Sequence, residues 1–526
     1  MLAKEHQQQG AGNDRITYAK EITYVVVVAL LLVLYRLPFF YTQHIQEDAY
    51  ITWRCAVNLA NTGIYAFNIG ERVSASTSHL YVFFVAFIRY ITGTSFIPVV
   101  LVINTVILVC GLFLLSATLF SDLRRRLVFW ILISVTPAAL LISYSGMETS
   151  LVIGLVCLIL YGLLGRHGWS FIYLPMALLP WARPDAVVIG SILIVGAMIM
   201  NKQLPYGMIT CLIVGLISVL CFNYLYFGAF LNQTIIAKSS GMNLSFSSII
   251  ASVESVFIGR NGDGGIFAPL PTKYLAWLGW LWFLGSMVAF VFAVVRSRVN
   301  FVRCAGLLIL IALALFVPLV YAVGGVVAPW YLWPSSLFGS AVIMVLAIDV
   351  TISDRQPRRW RYVLLLVVLM LSLGVGRWFL SLNWGTQERL YRGGIGEYIR
   401  QVSTPLDSIM LEPAGYIPFY SERYTYDEVG LVSPQVTEYR RKYGNNWWIR
   451  FVKDYKPTFL IERRHILEYK TLDGYMLDEQ EREWFDSNYR LVRVFTYQPR
   501  DYYRHPLLLR LLELGQAVDY YLYQIQ

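Results

Sequence analysis

Two adjacent carboxylates, Glu47 and Asp48, stand in the stretch QEDAYITWRCAVNLANTGIYAFNIGERVSASTSHLY (46–81), just after an apolar run long enough to cross a bilayer. A carboxylate held near membrane level is partly desolvated, which raises its basicity and suits it to take a proton from a hydroxyl that is becoming a nucleophile. The competing reading is an ion pair with Arg54 or Arg72. Sequence neighbours point to different faces of a helix or strand, so one acid is the base and the other supports or binds.

Further uncommon polar stretches are YSGMET (144–149), ARPDA (182–186), FLNQTIIAKSS (230–240), IGRNGDGG (258–265) and APWYLWP (328–334). Lys238, Arg183, Arg72, Arg260 and His79 supply the cations that a phosphate-bearing substrate needs, because charge-assisted contacts stabilise a leaving phosphate. Taken singly, each reads as readily as an interfacial cation whose stem snorkels along apolar surface. Glu148 and Asp185 equally suit the first turns of the helices they precede. Trp330, Tyr331 and Trp333 fit an aromatic belt at the interface or a platform for sugar rings. Converging on one side of a membrane, the set points to a polar cavity near the outer surface.

The elements that must position these residues are mostly membrane spans. The chain has 526 residues, 57% of them apolar, with a mean hydropathy of +0.54. Eleven apolar runs approach spanning length: 22–40, 97–120, 127–145, 149–165, 171–184, 185–200, 206–227, 274–296, 304–324, 331–350 and 361–381. The run 80–91 is too short to span and reads as interfacial or re-entrant. With the N-terminus cytoplasmic, the arginine-rich loops fall on the inner side and the polar motifs on the outer one. Residues 1–382 carry 24 Lys/Arg against 13 Asp/Glu, whereas 383–526 carry 19 against 20, so the basic excess belongs to the membrane half and nucleic acid is not implied. The C-terminal part, with strand-like SIMLE, TFLIE and RLVRVF, reads as a small α+β domain on the external face.

Other chemistries are poorly represented. Five of the six cysteines lie in apolar runs, no CxxC occurs, and the six histidines are scattered. No nucleotide-binding or hydrolase motif is present, so an activated sugar would arrive as a lipid-linked donor. A lipid or sugar transporter, or a non-catalytic membrane assembly protein of the same fold, is the alternative.

At these motifs the chain resembles the multi-spanning GT-C glycosyltransferases, in particular the branch containing the terminal arabinofuranosyltransferase of the mycobacterial cell wall. The first-loop stretch is similar to that branch's D-D-A-[FY]-I-[ST]-x-R-Y-A-x-N-L and G-[ED]-R-V-x-G-x-T-[SN]-x-L-[WY] signature. SGMET, RPDA, NQTIIAK, APWYLWP and IMLEPAGYIPFYSERYTYDEVGLVSP (409–434) match further segments.

The resemblance implies an α-helical polytopic membrane protein of GT-C fold, with about 11 transmembrane helices plus interfacial helices over residues 1–382. It places a catalytic first external loop at 41–96 and an external α+β domain at 383–526. The implied location is the bacterial plasma membrane. The implied reaction is inverting transfer of a sugar, a pentofuranose such as arabinofuranose, from a polyprenyl-phosphate donor to an external glycan, glycolipid or glycoprotein acceptor. No metal and no cofactor beyond the lipid-linked donor is expected. Position by position, Glu47 matches the first acidic site of the signature and Asp48 the second, and Asp48 is the expected base. Lys238, Arg183 and Arg72 are expected to hold the lipid phosphate, with His79, Glu148, Asp185 and Tyr331 completing the donor site. The usual pair is two aspartates, so Glu47 departs from the pattern, as does SAST, which lacks the glycine and aromatic residue usual before Thr77.

Overall fold

Apolar runs of spanning length fold as helices because a helix closes its own backbone hydrogen bonds where water is missing. The computed structural model of the chain describes residues 20–165, 170–239, 301–323, 328–351, 360–502 and 517–526, together with positions 247, 250 and 288. The expected span at 274–296 and Arg260 lie outside the described residues. The other ten runs are all helical: α1 (Lys20–Tyr41), α4 (Phe96–Leu119), α5 and α6 (Leu123–Ser134, Pro137–Tyr144), α7 (Thr149–Gly165), α8 (Ser170–Ala182), α9 (Ala186–Asn201), α10 (Tyr206–Phe227), α12 (Phe301–Val323), α13 (Pro329–Thr351) and α14 (Trp360–Gly385). Among the described residues six helices are long and apolar enough to cross a membrane, or seven if the bent α5–α6 pair is one span. The chain is a multi-pass membrane protein.

The run 127–145, expected as one span, is broken by 66° between α5 and α6. Thr136 starts the second piece, its hydroxyl accepting the Ala139 N–H at 3.2 Å, and Pro137 follows at the position where a missing N–H costs nothing. The break frees carbonyls, and buried Arg36 from α1 answers one of them, donating to Ser134 O at 2.6 Å as well as to Ser143 Oγ at 3.2 Å and Leu32 O at 2.7 Å.

Between α1 and α4 lie α2 (Glu47–Thr62) and α3 (His79–Thr92), the first carrying the paired acids and the second matching the run expected at the interface. On α3, Phe87, Tyr90 and Ile91 point outward at 65, 78 and 63% exposure while Val82, Val85 and Ala86 are buried, and α3 and α4 together (His79–Leu119) make one apolar stretch long enough to cross a membrane. The short α11 (Gln233–Ser239) carries Lys238 in its last turn.

The C-terminal part is the expected α+β unit. α14 runs through a π-helical turn (Thr386–Arg392) into α15 (Gly393–Val402), so the membrane half leads into this unit without a loop. Strands β1 (Ser408–Leu411), β2 (Tyr424–Asp427), β3 (Phe459–Glu462), β4 (Tyr489–Phe495) and β5 (Tyr520–Ile525) form one sheet in the order β2-β1-β3-β5-β4. β1 is parallel to β2 and β3, while β5 is antiparallel to β3 and β4. Alternation along the strands sends Met410, Leu460 and Tyr523 into one core and Ile409, Leu411, Ile461 and Leu522 into another.

This unit sits on α2 through polar contacts that are fully used. Buried Arg54 donates to Pro418 O at 2.7 Å, Arg423 O at 2.6 Å and Phe67 O at 2.9 Å, and so closes off neither Glu47 nor Asp48. Asn68 and Thr425 exchange two hydrogen bonds at 3.0 Å, and Tyr416 OH donates to Ile45 O at 2.8 Å. Removing the fork at Arg54 strands buried carbonyls, so Arg54→Ala is expected to cost about 3 kcal/mol, seen as a lower melting temperature. Arg54→Lys, which keeps the charge without the planar donors, should recover little of that loss.

Candidate active site at the helix mouths

The start of α2 is fixed from outside the helix, by the Gln46 N–H donating to Ser145 O at 2.9 Å in the YSGMET turn. From that anchored start the two acids diverge. Glu47 turns toward the C-terminal unit, where its Oε1 accepts the N–H groups of Gly415 at 2.8 Å and Tyr416 at 2.9 Å. Its Oε2 faces Arg392 at 3.3 Å, and the same guanidinium nitrogen holds Glu388 at 2.8 Å. The π-helical turn supplies both partners. Gly415 is obligatory here, since a Cβ at that position would strike the Glu47 carboxylate and carbonyl. Burial first, and then the neighbouring Glu388, push the Glu47 carboxyl up to about 8, with Arg392 opposing.

Asp48 turns the other way and is only half-buried. Among the described residues nothing donates a hydrogen bond to it. Burial raises its carboxyl above the usual range; Lys238 opposes that shift and Glu47 adds to it. Lys238 therefore stands within charge reach of Asp48, and its ammonium donates to Tyr331 OH at 2.9 Å.

Behind Tyr331 a ladder of contacts runs into the helix mouths. The Tyr331 ring stacks on Tyr321 at 4.8 Å and 12°. Arg183 Nη2 donates to Tyr321 OH at 2.6 Å and to Asp185 Oδ2 at 2.9 Å, its Nε donates to Asp185 Oδ1 at 3.0 Å, and its Nη1 faces Glu148 at 3.4 Å. Tyr321 OH also donates to Asp185. The motifs SGMET, RPDA, NQTIIAK and APWYLWP thus meet in space: Asp48, Lys238, Tyr331, Arg183, Glu148 and Asp185 are one cluster. Arg183 faces two carboxylates and a phenol, so each of its nitrogens has a partner. Lys238 retains donors to spare.

Two expected residues stand apart. Arg72 is exposed and lies over the Tyr226 ring at 5.0 Å. His79 is buried between Tyr65 OH, 2.9 Å from Nδ1, and Asn232 Nδ2, 3.3 Å from Nε2, and stacks on Phe227. It serves the loop's shape. That shape is also set by the start of the NQTIIAK motif: Asn232 donates to Ser74 Oγ at 2.7 Å and Ser76 O at 2.9 Å, and Thr234 to Ala75 O at 2.6 Å. Gln233 reaches the C-terminal unit, donating to Gly430 O at 2.8 Å. These three residues carry α11, and with it Lys238, on the SAST loop.

Sequence reasoning missed Tyr321, Glu388 and Arg392. Tyr321 sits in an apolar run where a tyrosine carries no distinctive signal; the charged GTQERLYRGG stretch after α14 was the available cue for the other two.

Residues 382–517 match the model of a domain of unknown function, DUF8728. No curated protein sequence matches the chain. Two solved structures share its architecture. ArnT from Cupriavidus metallidurans bound to undecaprenyl phosphate aligns with TM-score 0.53 and 13% identity over 85% of this chain and 94% of that one. The same protein in the apo state aligns with TM-score 0.52 and 12% identity over 86% and 95%. The fold is that of ArnT.

Because Lys238 lowers the Asp48 pKa and Glu47 raises it, the two can be separated by substitution. Lys238→Met is expected to move the Asp48 titration to higher pH and Glu47→Gln to lower pH, measured by 13C NMR of the labelled carboxyl.

Proposed function

We propose that the chain is a bacterial inner-membrane glycosyltransferase that transfers a sugar, a pentofuranose such as arabinofuranose, from a polyprenyl-phosphate donor to a hydroxyl of an external glycan, glycolipid or glycoprotein. The observation that carries this reading is half-buried Asp48, which accepts no hydrogen bond among the described residues and lies within electrostatic range of Lys238 without forming an ion pair with it. Support also comes from the fold, since an ArnT structure of that architecture is described as bound to undecaprenyl phosphate.

The geometry supports the following roles. Asp48 takes the proton of the acceptor hydroxyl as its oxygen attacks the anomeric carbon. The bond from that carbon to the phosphate oxygen breaks on the opposite face, so the configuration inverts and the electron pair leaves with the lipid phosphate. Lys238 offsets the charge that develops there. Arg183, though buried and cationic, is neutralised by Glu148 and Asp185 and acts by holding Tyr321 beneath Tyr331, which in turn orients Lys238. Of the three cations expected to hold the phosphate, Lys238 is the one this reading keeps in direct contact with it. Glu47 locks the C-terminal unit in place, leaving proton transfer to Asp48.

Asp48→Asn should fold normally and lose turnover by about 10³-fold with a polyprenyl-phosphate pentose in proteoliposomes. Turnover within about tenfold of the wild type would overturn the assignment of the base. Tyr331→Phe, which frees the Lys238 ammonium, should lower kcat by about tenfold while leaving the fold unchanged. Robust transfer from a soluble sugar nucleotide would overturn the lipid-linked donor.

A further inference from the structure

A cleft of about 1060 Å³ opens between the C-terminal half of α2, the α3–α4 junction and the C-terminal unit. It is separate from the cluster around Asp48. None of Asp48, Lys238, Tyr331 or Arg183 lines it, nor do the fully buried rings of Tyr50 and Tyr416, which lie 4.2 Å apart.

Its lining combines two kinds of surface. Phe419, Tyr420, Tyr424 and Tyr426 present aromatic rings, and Asn61 and Arg89 present planar hydrogen-bonding groups. Asn61 is exposed, and Arg89 has no carboxylate partner among the described residues, its guanidinium lying 5.7 Å from the Phe96 ring. The remaining charges are spent within the wall: Arg400 pairs with Glu422 at 3.1 Å, Glu397 with Arg389 at 3.2 Å, and Arg54 is saturated by carbonyls. Such a lining offers a polyanion a single cation without a carboxylate partner, Arg89, and an acyl chain entering it would strip water from the amide and guanidinium groups. A sugar suits both surfaces, with its C–H face on a ring and its vicinal hydroxyls on a planar amide or guanidinium. The volume, at the upper end of small-molecule sites, fits a chain of several rings.

We propose that this cleft is a binding site for a neutral oligosaccharide chain. On the reading of the chain as a glycosyltransferase, the occupant is the non-reacting part of a polymeric acceptor. α2 connects the two places: Asn58 and Asn61 lie about 15 to 20 Å along the helix from Asp48, a separation that one headgroup cannot bridge and a glycan chain can.

The test uses the full-length protein in nanodiscs on a printed array of neutral bacterial oligosaccharides of one to eight residues. The wild type should retain linear glycans of several residues and release the corresponding monosaccharides. Asn61→Trp, at an exposed position and with unchanged melting temperature, should weaken retention by about tenfold by filling the cleft, and Arg89→Ala should weaken it independently. Asp48→Asn should retain the same glycans as the wild type, so binding is read apart from turnover. Retention of no glycan, preference for monosaccharides, or equal retention by wild type, Asn61→Trp and Arg89→Ala would overturn the proposal.

Discussion

A charge taken from water at the mouth of a membrane helix must be answered by another charge or by several hydrogen bonds, and the arrangement of this protein's outer motifs follows from that constraint. Arg183 is answered twice over, by Glu148 and Asp185, and its remaining donor fixes Tyr321. The tyrosine stack carries that rigidity to Tyr331, and Tyr331 fixes Lys238. What is left over is a half-buried pair: a lysine with donors to spare and an aspartate that accepts no hydrogen bond among the described residues. Rigidity behind and incompleteness in front are what a reacting centre requires, because groups already held in place pay no reorganisation when charge develops.

The length of the Glu47 side chain has a structural use in the same place. It reaches the Gly415 and Tyr416 N–H groups and Arg392, tying the first loop to the C-terminal unit. The DUF8728 segment is thus part of the site's framework: it fixes the start of α2 from one side while the YSGMET turn fixes it from the other. Arg54, Asn68 and Gln233 spread that attachment over α2, the first loop and α11, so the position of Asp48 depends on contacts contributed by both halves of the chain.

Much of this was legible in the sequence, and the rest was hidden for identifiable reasons. Span positions follow from apolar length, so every described run became a helix; the kink after Ser134 did not show, because Thr136 and Pro137 sit inside an unbroken apolar run. The strands at SIMLE, TFLIE and RLVRVF were visible by alternation. β2 and β5, each rich in tyrosine and lying among other polar residues, were not. Asp48, Lys238, Tyr331, Arg183, Glu148 and Asp185 were named from residue type and side of the membrane, and the fold brings them together. Arg72 and His79 were named on the same grounds, but sidedness gives no information on direction, and one points to solvent while the other is enclosed by aromatic rings. The partners of Glu47 come from a π-helical turn whose register no simple periodicity reveals.

The central claim is that Lys238 receives the phosphate of a membrane-embedded donor beside Asp48. The most direct measurement is an electron cryo-microscopy structure of the protein in nanodiscs loaded with polyprenyl phosphate. The account predicts phosphate density within hydrogen-bond reach of Lys238 Nζ, with Asp48 open to solvent next to it. Phosphate density seated away from Lys238, or an Asp48 sealed off by protein when the lipid is bound, would contradict it.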